Sequence, residues 1–179
     1  YTINSEQLDF FSETGIAYLY GKSTIIGKTS TVYCERGYYN TRKDIGYFVK
    51  NSRVDYENRI MYGDSIYFNR NKNFASATNN IRIIDTLNNS YVRGHYAEVF
   101  KNKDSVFITK RAVAITVREN DSIYIHADTL KITGKPDRRV IRGFYKARFF
   151  KRGLPGEEPT SGKCDSIYVN ERTGITKLL

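Results

Sequence analysis

The residues of this 179-residue chain whose types could do chemistry are few: two histidines, two cysteines, a Gly-Lys-Ser-Thr stretch and a recurring aspartate. His95 and His126 each lie in an alternating, strand-like context. Neither has a cysteine or carboxylate at metal-ligand spacing, so neither is expected to be a ligand or a base. GKST (21–24) and GKTS (27–30) approach a phosphate loop, but the interval from Gly15 to Gly21, and from Gly21 to Gly27, is five residues where four are needed. The next stretch of chain is the strand-like TVYC (31–34), not a helix whose N-terminus could hold phosphate. Cys34 and Cys164 stand in strand-like stretches far apart in the chain; two small buried thiols or one long-range disulfide both fit. Asp64, Asp104, Asp121 and Asp165 recur singly, without the dense ligand set of a calcium loop, and read as turn caps. These residues imply no catalysis, no metal and no cofactor.

The aspartates belong to a phrase that recurs: GDSIYFN (63–69), KDSVFIT (103–109), NDSIYIH (120–126) and CDSIYVN (164–170). An active-site motif normally occurs once, and a phrase spread along the chain is architecture. Tyr (15), Phe (10), Ile, Val and Thr abound, with three prolines and no tryptophan, a composition suited to pleated, half-buried surfaces. Period-2 alternation recurs in TVYC (31–34), SIYF (65–68), NIRIID (80–85), SVFIT (105–109), AVAITV (112–117) and SIYIHA (122–127). Turn clusters NTRKD, NRNKN, TLNNS, KNKD, REND and GKPD separate them. In INSEQLDFFSE a short helical turn competes with a strand.

Laid out as rungs, the chain reads 29–63, 64–94, 95–120, 121–153 and 164 onward. Several rungs share an apolar-x-small-acid step (VYCE at 32–35, IHAD at 125–128) and a closing Gly (62–63, 93–94, 142–143). Asp-Ser is expected to open a rung at a turn exit. Such units cannot bury their apolar faces singly and must stack. At the C-terminal end, CDSIYVNERTGITKLL begins a further rung and leaves an edge that invites strand addition. The chain begins at Tyr1 without an initiator Met, and no apolar run approaches a membrane span. We expect one domain over 1–179, a mature or excised piece of a longer chain.

The net charge is +10, and residues 135–152 hold eight cations against Asp137 alone. Such a run is commonly a solvated strand face, but it also attracts phosphates, anionic lipids or acidic glycans. Nucleic acid is the weaker match, because the basic excess is one segment and the aromatics are spread through every rung as packing would place them.

The succession from VYCERGYYN through GDSIYFN, ASATNNIRIIDTLNNSYVRGHYAEV and DSIYIHADTLKITG resembles the OstA-like, or LptA-like, family of lipopolysaccharide-transport proteins, in wording nearest the Bacteroidetes-type versions. That family includes periplasmic bridge proteins and the N-terminal domain of the outer-membrane assembly protein. Its apolar-x-Ala-Asp step is kept in IHAD (125–128), whereas VYCE (32–35) has Cys and Glu. TNNIRIID (78–85) stands where Gly-Asn-Val-x-Ile is usual. The resemblance implies an all-β fold, a twisted, partly open β-jellyroll of stacked antiparallel strands in degenerate repeats. It implies a periplasmic, non-enzymatic carrier that holds lipopolysaccharide or lipid A by its acyl chains and joins edge to edge with other transport proteins or with copies of itself. On that reading the groove is lined by Val32, Val54, Ile66, Phe68, Ile81, Ile83, Val106, Ile108, Ile123 and Ile125, the period-2 positions of one face. Arg138, Arg139, Arg142 and Arg148 would meet phosphorylated headgroups. The alternatives are a closed core without ligand, and a β-repeat scaffold for acidic polysaccharide or another polyanion.

Overall fold

The computed structural model describes residues 1–118, 121–135 and 138–179. Twelve strands follow in chain order: β1 (Thr2–Phe11), β2 (Ile16–Ile26), β3 (Ser30–Asn40), β4 (Ile45–Tyr56), β5 (Arg59–Asn69), β6 (Phe74–Asp85), β7 (Ser90–Phe100), β8 (Ser105–Arg118), β9 (Asp121–Thr133), β10 (Val140–Lys151), β11 (Thr160–Asn170) and β12 (Ile175–Leu178). Neighbours in sequence are neighbours in space, so a single antiparallel sheet runs from β1 to β12. Among the described residues the helical content is one 3₁₀ turn at Lys101–Lys103 and a single 3₁₀ residue, Arg138. The N-terminal stretch that could have formed a helical turn is a strand.

The sheet is folded in two along a crease. Pairing loses register in mid-strand at every step from β1/β2 to β10/β11. In β4, β6, β8 and β10 the break is a pair of consecutive left-handed residues: Lys50–Asn51 (φ 60° and 50°), Asn79–Asn80 (56° and 51°), Lys110–Arg111 (61° and 61°) and Tyr145–Lys146 (63° and 53°). Such bulges bend a strand sharply and sharpen its twist. SVFIT and AVAITV, read from alternation as two strands, are therefore the two halves of β8, with Lys110–Arg111 at the bend.

Small side chains line the inside of the crease. Ser23 stands opposite Cys34, Ser52 opposite Gly63, Ile81 opposite Gly94, Ala112 opposite Ala127 and Ala147 opposite Cys164. A Cβ on Gly94 would strike Ile108 Cγ2 and lie 3.1 Å from the Thr109 carbonyl oxygen. The recurring small-acid step is this crease seen in the odd strands: the small residue points in and the next residue, Glu35, Asp64, Asp128 or Asp165, stands on the outer ridge. Asn51 Nδ2 donates to Glu35 (2.7 Å), and Asn80 Nδ2 to both oxygens of Asp64 (3.1 and 2.9 Å).

The repeated Asp-Ser thus has two addresses. Asp64 and Asp165 sit at the crease in mid-strand, which corrects the expectation of a turn exit. Asp104 does close a turn, in the left-handed conformation (φ 41°). The Asp121 side chain, the REND turn and the GKPD turn fall partly outside the described residues. Strand-final residues cap the turns instead: Asn40 accepts from the Arg42 and Lys43 amides, Asp85 from Leu87 and Asn88, and Asn170 from Arg172 and Thr173.

The crease divides the sheet into two facing leaves. The first holds residues such as 52–62, 81–93, 112–118 and 121–127; the second holds 36–49, 65–78, 96–109, 129–135 and 138–144. Between them lies the core. On the second leaf Phe48, Ile66, Ala77, Ala97, Ile108 and Leu130 are paired in one row and are fully or almost fully buried. Ile83, Ala114 and Ile125 answer from the first. Full burial of each large apolar side chain contributes about 1.5–3 kcal/mol. The result is an all-β, twisted, partly open β-jellyroll.

Candidate functional site

The leaves join at the crease and part at their tips, which leaves a mouth along the molecule. Turn residues decide where it is closed. At the N-terminal end Tyr1 packs edge-on against Tyr39 (5.2 Å between centroids), and its hydroxyl donates to the Thr41 carbonyl at 3.5 Å. Toward the C-terminal end the guanidinium of Arg139, in the β9–β10 turn, reaches across to the β6–β7 turn. There it donates to Asp85 Oδ2 (2.5 Å) and Ser90 Oγ (2.7 Å), and Glu171 lies 3.9 Å from its Nε. Thr116 Oγ1 donates to Glu171 at 3.2 Å. Burial alone would raise the Asp85 pKa; hydrogen bonds from Asn88 and Arg139, with the Arg139 charge, outweigh it and hold the carboxyl below its ordinary value.

Between these closures lies a crevice of about 130 Å³. Val54, Met61 and Ile83 form its wall on the first leaf, and Phe68, Ala75, Val99 and Val106 its wall on the second. Arg59, Arg70 and Lys101 stand at its rim, and none of its lining residues is acidic. Lys101 Nζ sits 4.3 Å over the Tyr56 ring, so a cation from one tip stacks on an aromatic of the other. An apolar cleft under three cations suits an amphiphile with an anionic head. Its volume at rest compares with the roughly 150 Å³ cavity that accommodates one benzene. A whole acyl chain therefore enters only if the leaves move apart.

The ten groove positions read from alternation all face the interior. Val54, Phe68, Ile83 and Val106 line the crevice. Ile66, Ile81, Ile108 and Ile125 lie beneath it, 0–2% exposed, in closed packing. Val32 lines a void of about 10 Å³ shared with Tyr1 and Phe48, and Ile123 packs half-buried against the core. The basic segment lies elsewhere than expected. Arg139 is buried and committed to Asp85, Ser90 and Glu171. Arg142 lies on the outer face over the Tyr168 ring (5.4 Å). Arg148 is exposed on the outer face opposite His126 and Lys163, and Arg138 is exposed in the β9–β10 turn. The rim cations Arg59, Arg70 and Lys101 were not singled out by the sequence. The available signal was their position: each flanks or opens a turn, where an inward-facing tip residue must lie.

Cys34 and Cys164 are both free. They occupy the same small crease position in β3 and β11, eight strands apart, or roughly 38 Å at the usual strand spacing, far beyond disulfide reach. Burial pushes the Cys34 thiol up to about 11. Among the described residues no group of three His, Cys, Asp or Glu could hold a metal.

No protein-family model matches the sequence, and no curated protein matches it significantly. The fold does match a solved structure: LptH of Pseudomonas aeruginosa, described as the LptA-homologous periplasmic component of the conserved lipopolysaccharide transport device. The match has a TM-score of 0.60 at 10% identity and covers 65% of this chain and 94% of LptH. The chain thus shares the LptA-like fold.

Proposed function

We propose that this chain is a non-enzymatic lipopolysaccharide-binding and transport domain of the periplasm, of the OstA-like kind its sequence resembles. One observation carries the reading: the crevice between the leaves is apolar in its walls, cationic at its rim and free of carboxylates. Acyl chains enter between the parted leaves, where each buried methylene contributes about 0.8 kcal/mol. Arg59, Arg70 and Lys101 meet the phosphates of the lipid A headgroup with charge-assisted hydrogen bonds. The likeness to LptH supports the same reading at the level of fold.

Partners join by strand addition, whether other transport proteins or second copies of the chain. The outer edge of β1 is unpaired and carries exposed Glu6 and Asp9. At the other end β12 pairs with residues 167–170 and Leu179 with Ser166, which leaves residues 160–165 of β11 with an unpaired outer side among the described residues, and Lys163, Asp165 and Lys177 lie along that edge. Opposite charge at the two edges supports head-to-tail docking. The Bacteroidetes-type affiliation rests on the DSIY wording.

The test is photo-crosslinking to lipopolysaccharide from Phe68, in the crevice wall, with Tyr67 on the opposite face as control. Adducts are expected from Phe68 and should persist at high salt, because apolar burial is not screened. No adduct at Phe68 in the folded protein, or equal labelling at Tyr67, overturns the reading.

A further inference from the structure

One exposed cation of the basic segment, Arg148, belongs to a longer array. Across the outer face of the first leaf the register places Tyr33 beside Arg53, then Tyr62, Arg82, Arg93, Val113, His126, Arg148 and Lys163, one residue from each successive strand. The strand spacing is about 4.8 Å. Arg53 is neutralised by a two-pronged pair with Asp55 at 2.6 Å. Arg82, Arg93, Arg148 and Lys163 are exposed and, among the described residues, pair with no carboxylate. Arg82 stands directly opposite Arg93, and Arg148 directly opposite Lys163. Like charges in that position destabilise a sheet, so the row carries a cost that an anionic ligand would remove.

We propose that this face binds a linear acidic polysaccharide laid across the strands, independently of lipid in the crevice. The parallel row toward the tips is apolar and aromatic, with Ile84, Tyr91, Ile115, Tyr124 and Phe150 in register. A glycan lying along the ladder sets its carboxylates or phosphates on the cations and its ring faces on this row. The array ends in a shallow dish of about 530 Å³ floored by Tyr124 and Phe150 and walled by His126, Arg148 and Lys163. Tyr124 and Phe150 are tilted by 53° to each other, which offers edges and half-faces to sugars rather than the open parallel platform that base stacking uses.

The experiment measures binding of the full chain to polygalacturonate, with dextran as the neutral control, across a salt titration. The variant Arg82→Ser/Arg93→Ser/Arg148→Ser is compared with Lys28→Ser/Lys43→Ser/Lys131→Ser, which removes the same charge elsewhere. The row variant should lose at least tenfold in affinity and show a flatter salt dependence, while the control should lose less than threefold. Arg148→Ser/Lys163→Ser relieves a like-charge pair and provides the same test should the triple variant fold poorly. Equal losses in row and control variants would mean that net charge alone acts, and would overturn the proposal. So would row dependence that appears with poly(U) or phosphatidylglycerol vesicles and not with polygalacturonate.

Discussion

Asp85 and Arg139 are 54 residues apart in sequence and close the mouth together. A buried pair of this kind adds little net stability over apolar packing, but removing one partner leaves a buried charge uncompensated. Arg139→Gln should therefore cost about 3–5 kcal/mol, read as a lower urea midpoint at pH 7. Outer-face Arg142→Gln should change little. The sign of the pH dependence follows from the depressed Asp85 pKa. The folded carboxyl titrates below its ordinary value of 3.8, so its stabilisation is complete above that value and is lost as pH falls toward the folded pKa. Wild-type stability should drop over that acid range more steeply than that of Arg139→Gln; parallel acid limbs would sink the assignment. Nothing in the sequence marks this pair. The run at 135–152 advertises charge, and only the tertiary fold reveals that Arg139 turns inward while Arg142 and Arg148 turn out.

At the scale of the element, the crease is the feature that organises the repeat. A strand that bends through two left-handed residues needs side chains that tolerate φ > 0, and Asn is better suited than most. Asn80→Gly should be nearly neutral, whereas Asn80→Val should cost about 1–2 kcal/mol in thermal or urea unfolding. Gly94 tests the inner side. Gly94→Ala pushes a methyl onto Ile108 and should cost about 1–3 kcal/mol by overpacking. In an Ile108→Ala background, which lacks the colliding Cγ2, Gly94→Ala should cost less in a double-mutant cycle, and strict additivity of the two changes would show that the collision is not the cause. Strands and turn clusters were legible because period 2 and Asn/Asp/Gly punctuation are local signals. NTRKD, NRNKN, TLNNS and KNKD all mark turns. The bend was not legible as a bend: Lys110–Arg111 carries no turn signature, so β8 reads as two strands. The small-acid step was visible as recurrence, and its meaning awaited the register that sets Cys34, Gly63, Ala127 and Cys164 along one line.

For the whole molecule, the decisive quantity is how far the leaves part. Alternation identified an inward face and could not say which of its positions are filled. Ile66 and Ile108 are sealed, while Phe68 and Val106, two residues on in one strand and two back in the other, line the crevice. The distinction depends on distance from the crease, which sequence periodicity does not encode. A crevice of about 130 Å³ accepts a small amphiphile at rest, but a lipid with several acyl chains requires a wider state. The Asp85–Arg139 contact ties the tips of the two leaves together, so weakening it should shift the population toward a wider arrangement, about tenfold for each 1.4 kcal/mol until that arrangement dominates. Arg139→Gln should consequently accelerate binding of multi-acyl lipid A in stopped-flow fluorescence, and leave the binding rate of hexanoate, which is small enough to enter without opening, almost unchanged. Arg142→Gln should alter neither. Equal acceleration for both ligands would indicate general loosening of the fold, and no acceleration for lipid A would mean that the leaves part elsewhere than at this contact. A selective gain for the larger ligand would tie the width of the mouth to one buried ion pair and explain why a fold made of repeating hairpins carries its most buried charge at a single rung.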